Sequence, residues 1–312
     1  MHIDELTPEE YRQLFQKAPH IFNSVEFTEL NRDKCDEVRY LAFSDIKLRA
    51  GIIIGKRDGV WMSPFSAPFG GLTANKNLPI ETVDSVFRQL ILYIWRCNGG
   101  LKITLPPVWY SPDLLVKCIN ALSRIEGIKS IADISYHLNL SDVEGIDESR
   151  MTVTGRQNLR RALKAPFEFS KADSTAESIA EVYEVIRRNH TERGYPLRMS
   201  LDDVIATAET VPADFFLLRL DGVPVAGAQV YNVAHRTAQL INWGDIREAS
   251  SLCPMNRMAY ELAGYYSQKG VQKLDLGPAT ECGIPNIGLC RFKESLGADS
   301  SLKFTFSILH NH

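Results

Sequence analysis

Two stretches of this sequence, one on each side of residue 150, run through the same order of elements. On the N-terminal side, β-branched and apolar runs at Val38–Phe43, Leu48–Ile54 and Val60–Met62, with a turn at Arg57-Asp58-Gly59, predict an antiparallel meander. A proline- and glycine-rich loop, Ser63–Gly71, follows. From Pro79 to Cys97, Val83, Phe87, Leu90, Ile91 and Ile94 recur at three- and four-residue intervals, the mark of an amphipathic helix. The half closes with a strand at Leu101–Leu105, a helix at Pro112–Ser123 and a strand at Ile131–Leu140. A capped helix, Thr7–Lys17, with Pro8 at its first position and Glu10 three residues after the cap, precedes it.

On the C-terminal side, helices are expected at Gly155–Leu163, Ala176–Asn189 and Leu201–Thr210, with a strand at Phe167–Ser170. A second meander follows at Phe215–Leu220, Val223–Val233 and Thr237–Trp243, its first turn set by Asp221-Gly222. The helix Pro254–Lys269, the strand Val271–Leu276, a helical stretch Ile287–Ser295 and the strand Leu302–Ile308 complete the pattern. The expected fold class is therefore α/β (α+β), with two tandem domains, 1–148 and 149–312, each a mostly antiparallel central sheet flanked by helices. The junction is expected between Asp142 and Arg156, where the charged segment Ser141–Ser149 interrupts both periodicities.

Composition narrows the function classes. A net charge of −3 gives no global positive field, which argues against DNA and disfavours tRNA as a partner. No apolar run approaches the roughly 18 residues of a bilayer span, and the acidic start MHIDELTPEEYRQLF lacks the basic and apolar regions of a signal peptide. Six cysteines without a C-x-x-C pair read as free thiols in a reducing, cytoplasmic compartment. Seven histidines fall into neither H-x-x-x-H nor H-E-x-x-H spacing, so no metal is expected. Neither a G-x-S-x-G elbow nor a P-loop is present.

Three stretches carry a family resemblance. They are Ser135–Ser141 followed by the basic run Thr154–Lys164; the hairpin Phe215–Gln229; and Lys273-Leu-Asp-Leu-Gly-Pro with Gly288-Leu-Cys-Arg-Phe-Lys-Glu-Ser-Leu-Gly297. Together they resemble the FemAB-related branch of the GNAT superfamily. The resemblance implies two GNAT-like halves, with transfer of an activated acyl or aminoacyl group to an amine mainly in the second. The Q/R-x-x-G-x-G/A phosphate loop of acyl-CoA-binding members is missing, and the corresponding segment reads Asp245-Ile-Arg-Glu-Ala-Ser-Ser-Leu-Cys-Pro254. No tightly bound cofactor is expected; acyl-CoA and an acyl-carrier protein stand as alternative donors, with a small-molecule amine as acceptor. A catalytically silent module that binds a metabolite or a protein partner is the alternative function.

On this resemblance Lys293 is placed near the cleft of the second half, where an ammonium would stabilise a developing oxyanion. Trp243 would wall an acyl pocket beside Asn242, and Asp245 would hold or deprotonate the amine. Tyr195 would donate a proton or orient the acceptor, Arg193 and Arg198 would bind a carboxylate or phosphate, and Arg291 would be among the substrate-binding residues. Phe65 and Phe69, in the first half's loop, suit packing on a ligand or on the other half. Arg156, Arg160 and Lys164 share a helical face that an anionic carrier would recognise, although such a stripe is more often a solvated surface.

Overall fold

The computed structural model describes residues 1–141 and 144–309. Asp142, the first residue of the expected junction, lies outside the described residues. The chain divides into two compact units, one formed by Met1–Ile134, Glu281–Ile284 and the segment from Ser301, the other by Ser135–Thr280 with Pro285–Ser300.

In the first unit the strands are β1 (His2–Leu6), β2 (Glu37–Ser44), β3 (Leu48–Arg57), β4 (Val60–Ser63) and β5 (Gly100–Thr104), and the C-terminal strand β14 (Asp299–Ile308) pairs with β5 through Thr305–Ile308. Pairing is antiparallel along β1, β2, β3 and β4, then parallel from β4 to β5. A parallel neighbour needs a crossover, and helix α3 (Ile80–Arg96) supplies it. Its Val83, Val86, Phe87, Leu90, Ile91 and Ile94 are buried together with Leu41, Ile52, Trp61 and Ile103 of the sheet and with Leu115, Cys118 and Leu122 of α4 (Pro112–Ser123). Each fully buried side chain of this kind contributes about 1.5–3 kcal/mol. Helix α1 (Pro8–Leu14) starts with the expected capping box of Thr7 and Glu10. Strand β1 and the short helix α2 (Val25–Leu30) were not legible in the sequence: β1 shows no alternation and is specified by its pairing with β2, and α2 is only six residues long.

In the second unit the strands run in the order β6 (Lys129–Asn139), β11 (Lys273–Pro278), β10 (Thr237–Asp245), β9 (Val223–Ala234), β8 (Ala213–Leu220) and β7 (Phe167–Lys171). All are antiparallel neighbours except β10 and β11, which are parallel and joined through α8 (Pro254–Gln268). The remaining helices are α5 (Val153–Lys164), α6 (Ala176–Arg193), α7 (Leu201–Thr210) and α9 (Ile287–Ser295). Between β11 and α9 the chain makes a ribbon of two short strands, β12 (Thr280–Glu281) and β13 (Ile284–Pro285).

Every long element expected from periodicity is present, yet the units do not divide at 148. Residues 135–139 of β6 pair with β11, and residues 305–308 of β14 pair with β5. The strand that closes each half in sequence thus belongs to the unit of the other half. Local pattern sets the strand; its partner is a long-range choice that periodicity does not encode.

Phe69, expected to face a ligand or the other half, is a core residue of its own unit. It is buried with its ring edge-on to His20 at 4.9 Å and to Phe22 at 5.1 Å, and beside Tyr110 at 4.8 Å. Phe65 is half-buried over Gly55 of β3, where its ring occupies the space a Cβ would need. The loop's aromatic residues close the first unit's own packing, which a proline-rich composition does not distinguish from a binding loop.

Candidate active site

The parallel strands β10 and β11 pair only from Thr237 to Gln239 and from Lys273 to Asp275. Beyond these residues β10 continues with β9 to Asp245, and β11 continues with β6 to Pro278. Each strand carries a register irregularity just past the last shared pair, between Leu240 and Asn242 and between Asp275 and Gly277. Gly277 has a φ of 73°, a conformation that favours glycine. A bulge bends its strand, and here the two bends leave the facing edges of β10 and β11 unpaired with each other.

One side of this gap is polar. Gly227 and Gly244 are register partners and both lie against α6, where an added Cβ would meet Val182 and Asn189. With the strand period of two, Gln229 and Tyr231 share the face of Gly227. Asn242 donates to Gln229 Oε1 at 3.0 Å, and Gln229 donates to the Tyr231 hydroxyl at 2.7 Å. Gln239, opposite Tyr231 on one strand and Asp275 on the other, buries its Oε1 with no hydrogen-bond partner among the described residues. The amide row of Gln229, Tyr231 and Gln239 escaped the sequence reading; polar residues at alternate positions of two strands otherwise apolar were the available signal.

The other side is aromatic. Trp243, pointing away from α6, is half-buried and meets Phe292 of α9 with ring centroids 5.7 Å apart. The next residue, Lys293, is 2 % exposed, and its ammonium donates to the carbonyls of Leu276 at 2.7 Å, Gly277 at 2.9 Å and Pro278 at 2.9 Å. Burial pushes its pKa down to about 7, against the opposing pull of the Asp275 carboxylate. An ammonium has three donors, and all three are used here. The expected oxyanion role requires a free N–H, which this arrangement does not leave; the side chain instead fixes the edge of β11. The neighbouring Glu294 accepts from the Tyr136 hydroxyl at 2.9 Å.

Asp245, at the end of β10, is buried and accepts from Arg193 at 2.9 Å and from Asn189 at 3.4 Å, with Ser250 3.4 Å away. Asn189 also donates to the Asp245 carbonyl at 2.6 Å. This carboxylate ties the last turn of α6 to β10, and the two residues expected as a base and as an anion-binding group, Asp245 and Arg193, are paired with each other.

Tyr195 follows the helix-ending Gly194, which has a φ of 69°, and is half-exposed. Its hydroxyl accepts from Asn286 at 3.1 Å, and Asn286 in turn caps α9 by accepting from the Leu289 amide at 3.1 Å. Tyr195 and Trp243 therefore meet the cap and the body of α9, Lys293 ties α9 to β11, and Arg193, two residues before Tyr195, pairs with Asp245. Arg198 and Arg291 are exposed. Phe65 and Phe69 belong to the other unit. Among the described residues no group of three or more His, Cys, Asp or Glu is placed to hold a metal ion, and no helix is long and apolar enough to cross a membrane.

Residues 152–294 match the family model of the acetyltransferase (GNAT) domain. No curated protein matches the chain by sequence. Among solved structures, FemX superposes with a TM-score of 0.71 at 13% identity, covering 100% of this chain and 98% of that one. L-PGS from Bacillus licheniformis gives 0.62 at 11% identity over 99% and 94% of the two chains. A conserved protein of unknown function from Bacteroides thetaiotaomicron gives 0.63 at 14% identity over 99% of both. With the parted parallel strands inside the matched region, residues 152–294 form a GNAT domain, and the chain shares its fold with FemX.

Proposed function

We propose that this protein is an N-acyltransferase that moves an acyl or aminoacyl group from a thioester or ester donor to a primary amine in the gap between β10 and β11. The observation that carries this reading is the parting of two parallel strands after three shared residues each. An unpaired strand edge accepts an extended, amide-bearing donor as it would accept an added strand, and Trp243 with Phe292 gives its acyl part an apolar wall. The amine nitrogen attacks the donor carbonyl carbon. The N–C bond forms, the C–S or C–O bond breaks, and the proton lost by nitrogen leaves with the thiol or alcohol. Tyr195 accepts from Asn286 and keeps its own O–H to donate, which suits it to protonate the leaving group. Lys293 acts as a positioning residue for β11, and the Asp245–Arg193 pair for α6.

Acyl-CoA and an acyl-carrier protein remain the donor alternatives. The shared element order of the two units supports an origin by duplication, and the free thiols of all six cysteines support a reducing, cytoplasmic setting. A second reading, a silent binding module, is favoured by the full engagement of the Lys293 ammonium and the Asp245 carboxylate.

A panel of acyl-CoAs, acyl-pantetheines, carrier-bound acyl groups and aminoacyl esters, each with a set of primary amines, separates the two. A donor at about a hundred times its Kd raises stability by about 2.7 kcal/mol, and mass spectrometry reports the amide. Stabilisation with amide formation is expected. Stabilisation without amide from any pair establishes the silent module instead.

A further inference from the structure

Helix α5 has an outward stripe of cations that no ion pair neutralises among the described residues. Gly155, Leu159 and Ala162 are buried, so Gln157, Arg160, Arg161 and Lys164 share the outer face at the spacing of neighbouring helical turns. The helix contains no acidic residue. Arg160, Arg161 and Lys164 are exposed and make no ion pair among the described residues, whereas the arginines Arg187, Arg188 and Arg219 of the same unit pair with Glu184, Glu192 and Glu181. Arg156, which the sequence groups with this face, turns inward to the carbonyls of Glu148 at 3.2 Å and Met151 at 2.6 Å. A concentrated patch of three unopposed positive charges is anomalous on a chain whose net charge is −3.

Two further features limit what the patch fits. Two exposed apolar residues share the helix: Val153, 63% exposed, in its first turn, and Leu163, 41% exposed, between Arg161 and Lys164. Apolar residues flanking arginines suit a protein interface, whereas a phosphate backbone is held by charge and polar contacts alone. The helix also packs on α8 and α9, and so closely on α9 that a Cβ at Gly155 would stand 2.0 Å from the Ser295 carbonyl oxygen. Helix α5 therefore adjoins α9, the helix that carries Phe292 and Lys293, through its buried face, and presents the cations on its other side.

We propose that the outer face of α5 docks an acidic carrier protein that bears its acyl group as a thioester on a flexible phosphopantetheine arm. This rests on the transfer reading above and narrows its donor. The carrier's acidic helix meets Arg160, Arg161 and Lys164, its apolar residues meet Val153 and Leu163, and the arm extends past α9 to the gap between β10 and β11.

The test uses the full chain and a purified acidic acyl-carrier protein in its holo and acylated forms, with binding measured by calorimetry near physiological salt. Reversing the charges in a triple Arg160→Glu, Arg161→Glu, Lys164→Glu variant is expected to weaken carrier binding at least about tenfold, from the loss of three exposed ion pairs and their replacement by repulsion. The same charge change at Lys76, Arg88 and Arg96 in the first unit is expected to leave affinity within about twofold. Circular dichroism checks that both variants are folded, and should the reversal variant unfold, Arg160→Gln with Lys164→Gln replaces it. Equal carrier affinity in the α5 variant and the wild type overturns the proposal, as does α5-dependent binding of an RNA hairpin in preference to the carrier. Transfer by the wild type from free acyl-pantetheine, measured separately, keeps the two inferences apart. Transfer without carrier binding overturns the docking surface alone, and α5-dependent carrier binding without transfer from any donor overturns the transferase reading alone.

Discussion

Arg193, in the last turn of α6, donates to the buried carboxylate of Asp245 at 2.9 Å, joining a helix end to a strand end across 52 residues of sequence. The arginine side chain is about half exposed, so solvent weakens the pair, but its loss leaves a buried carboxylate with only Asn189 and Ser250 as neighbours. A double-mutant cycle of Arg193→Ala and Asp245→Ala in urea denaturation is expected to show a coupling of about 1 kcal/mol. Simple additivity of the two substitutions would mean that the contact does not hold α6 to β10.

Lys293 makes a pH signature of its own. Its folded pKa lies near 7, below the roughly 10.4 of an exposed lysine. Between these values the unfolded chain holds a proton that the folded chain has released, so stability rises with pH across that window; below about pH 7 both states are protonated and the burial penalty is felt in full. The contribution of Lys293 to the slope is expected to reach about 1.4 kcal/mol per pH unit. Urea midpoints of the wild type and Lys293→Met, compared from pH 6 to 10, measure it as a difference. Parallel curves would contradict the burial of the ammonium.

Two buried histidines act in the opposite pH range. Burial lowers the pKa of His20 to about 3, and burial with the nearby Lys273 ammonium lowers that of His137 to about 4. Both folded values lie beneath the unperturbed value of about 6.5. The unfolded chain therefore takes up protons first as pH falls through 6.5, and stability is lost progressively toward pH 4. His20→Phe, surrounded by Phe22 and Phe69, is expected to make that loss shallower by the equivalent of one proton. Unfolding curves at pH 7 and pH 4.5 decide it.

Glycine positions separate close packing from mere flexibility. Gly155→Ala puts a Cβ 2.0 Å from the Ser295 carbonyl oxygen, so α5 must shift from α9, at a cost of about 1–3 kcal/mol. Gly264, inside α8, has no atom within 4 Å of the added Cβ, and Gly264→Ala is expected to stabilise by about 0.5–1 kcal/mol through helix propensity. Chemical denaturation at constant pH should move the two midpoints in opposite directions; a rise for Gly155→Ala would show that the helices are not in contact there.

The elements of the candidate site were largely legible because each rests on a local signal. Asp221-Gly222 marks the β8–β9 hairpin, the apolar run after it marks β9 and β10, and the stretch around Phe292 and Lys293 marks α9. Trp243 and Tyr195 lie beside such stretches and meet α9 or its cap, and Lys293 is on α9 itself. Their partners were not legible. Whether the Lys293 ammonium faces a substrate or three carbonyls depends on where β11 ends relative to α9, and whether Asp245 is free depends on the last turn of a helix some fifty residues earlier.

The sequence by itself determined the kind and order of the secondary elements, because hydrophobic period, caps and turn residues act over a few neighbouring positions. Only the tertiary structure decided which strands pair, and so placed β6 beside β11 and β14 beside β5 rather than each within its own half. It also decided which charged groups are consumed by packing, as at Lys293 and Asp245, and which are left exposed, as at Arg160, Arg161 and Lys164. Strand partnership and charge neutralisation are set by contacts between residues distant in the chain, and composition and periodicity carry no record of those contacts.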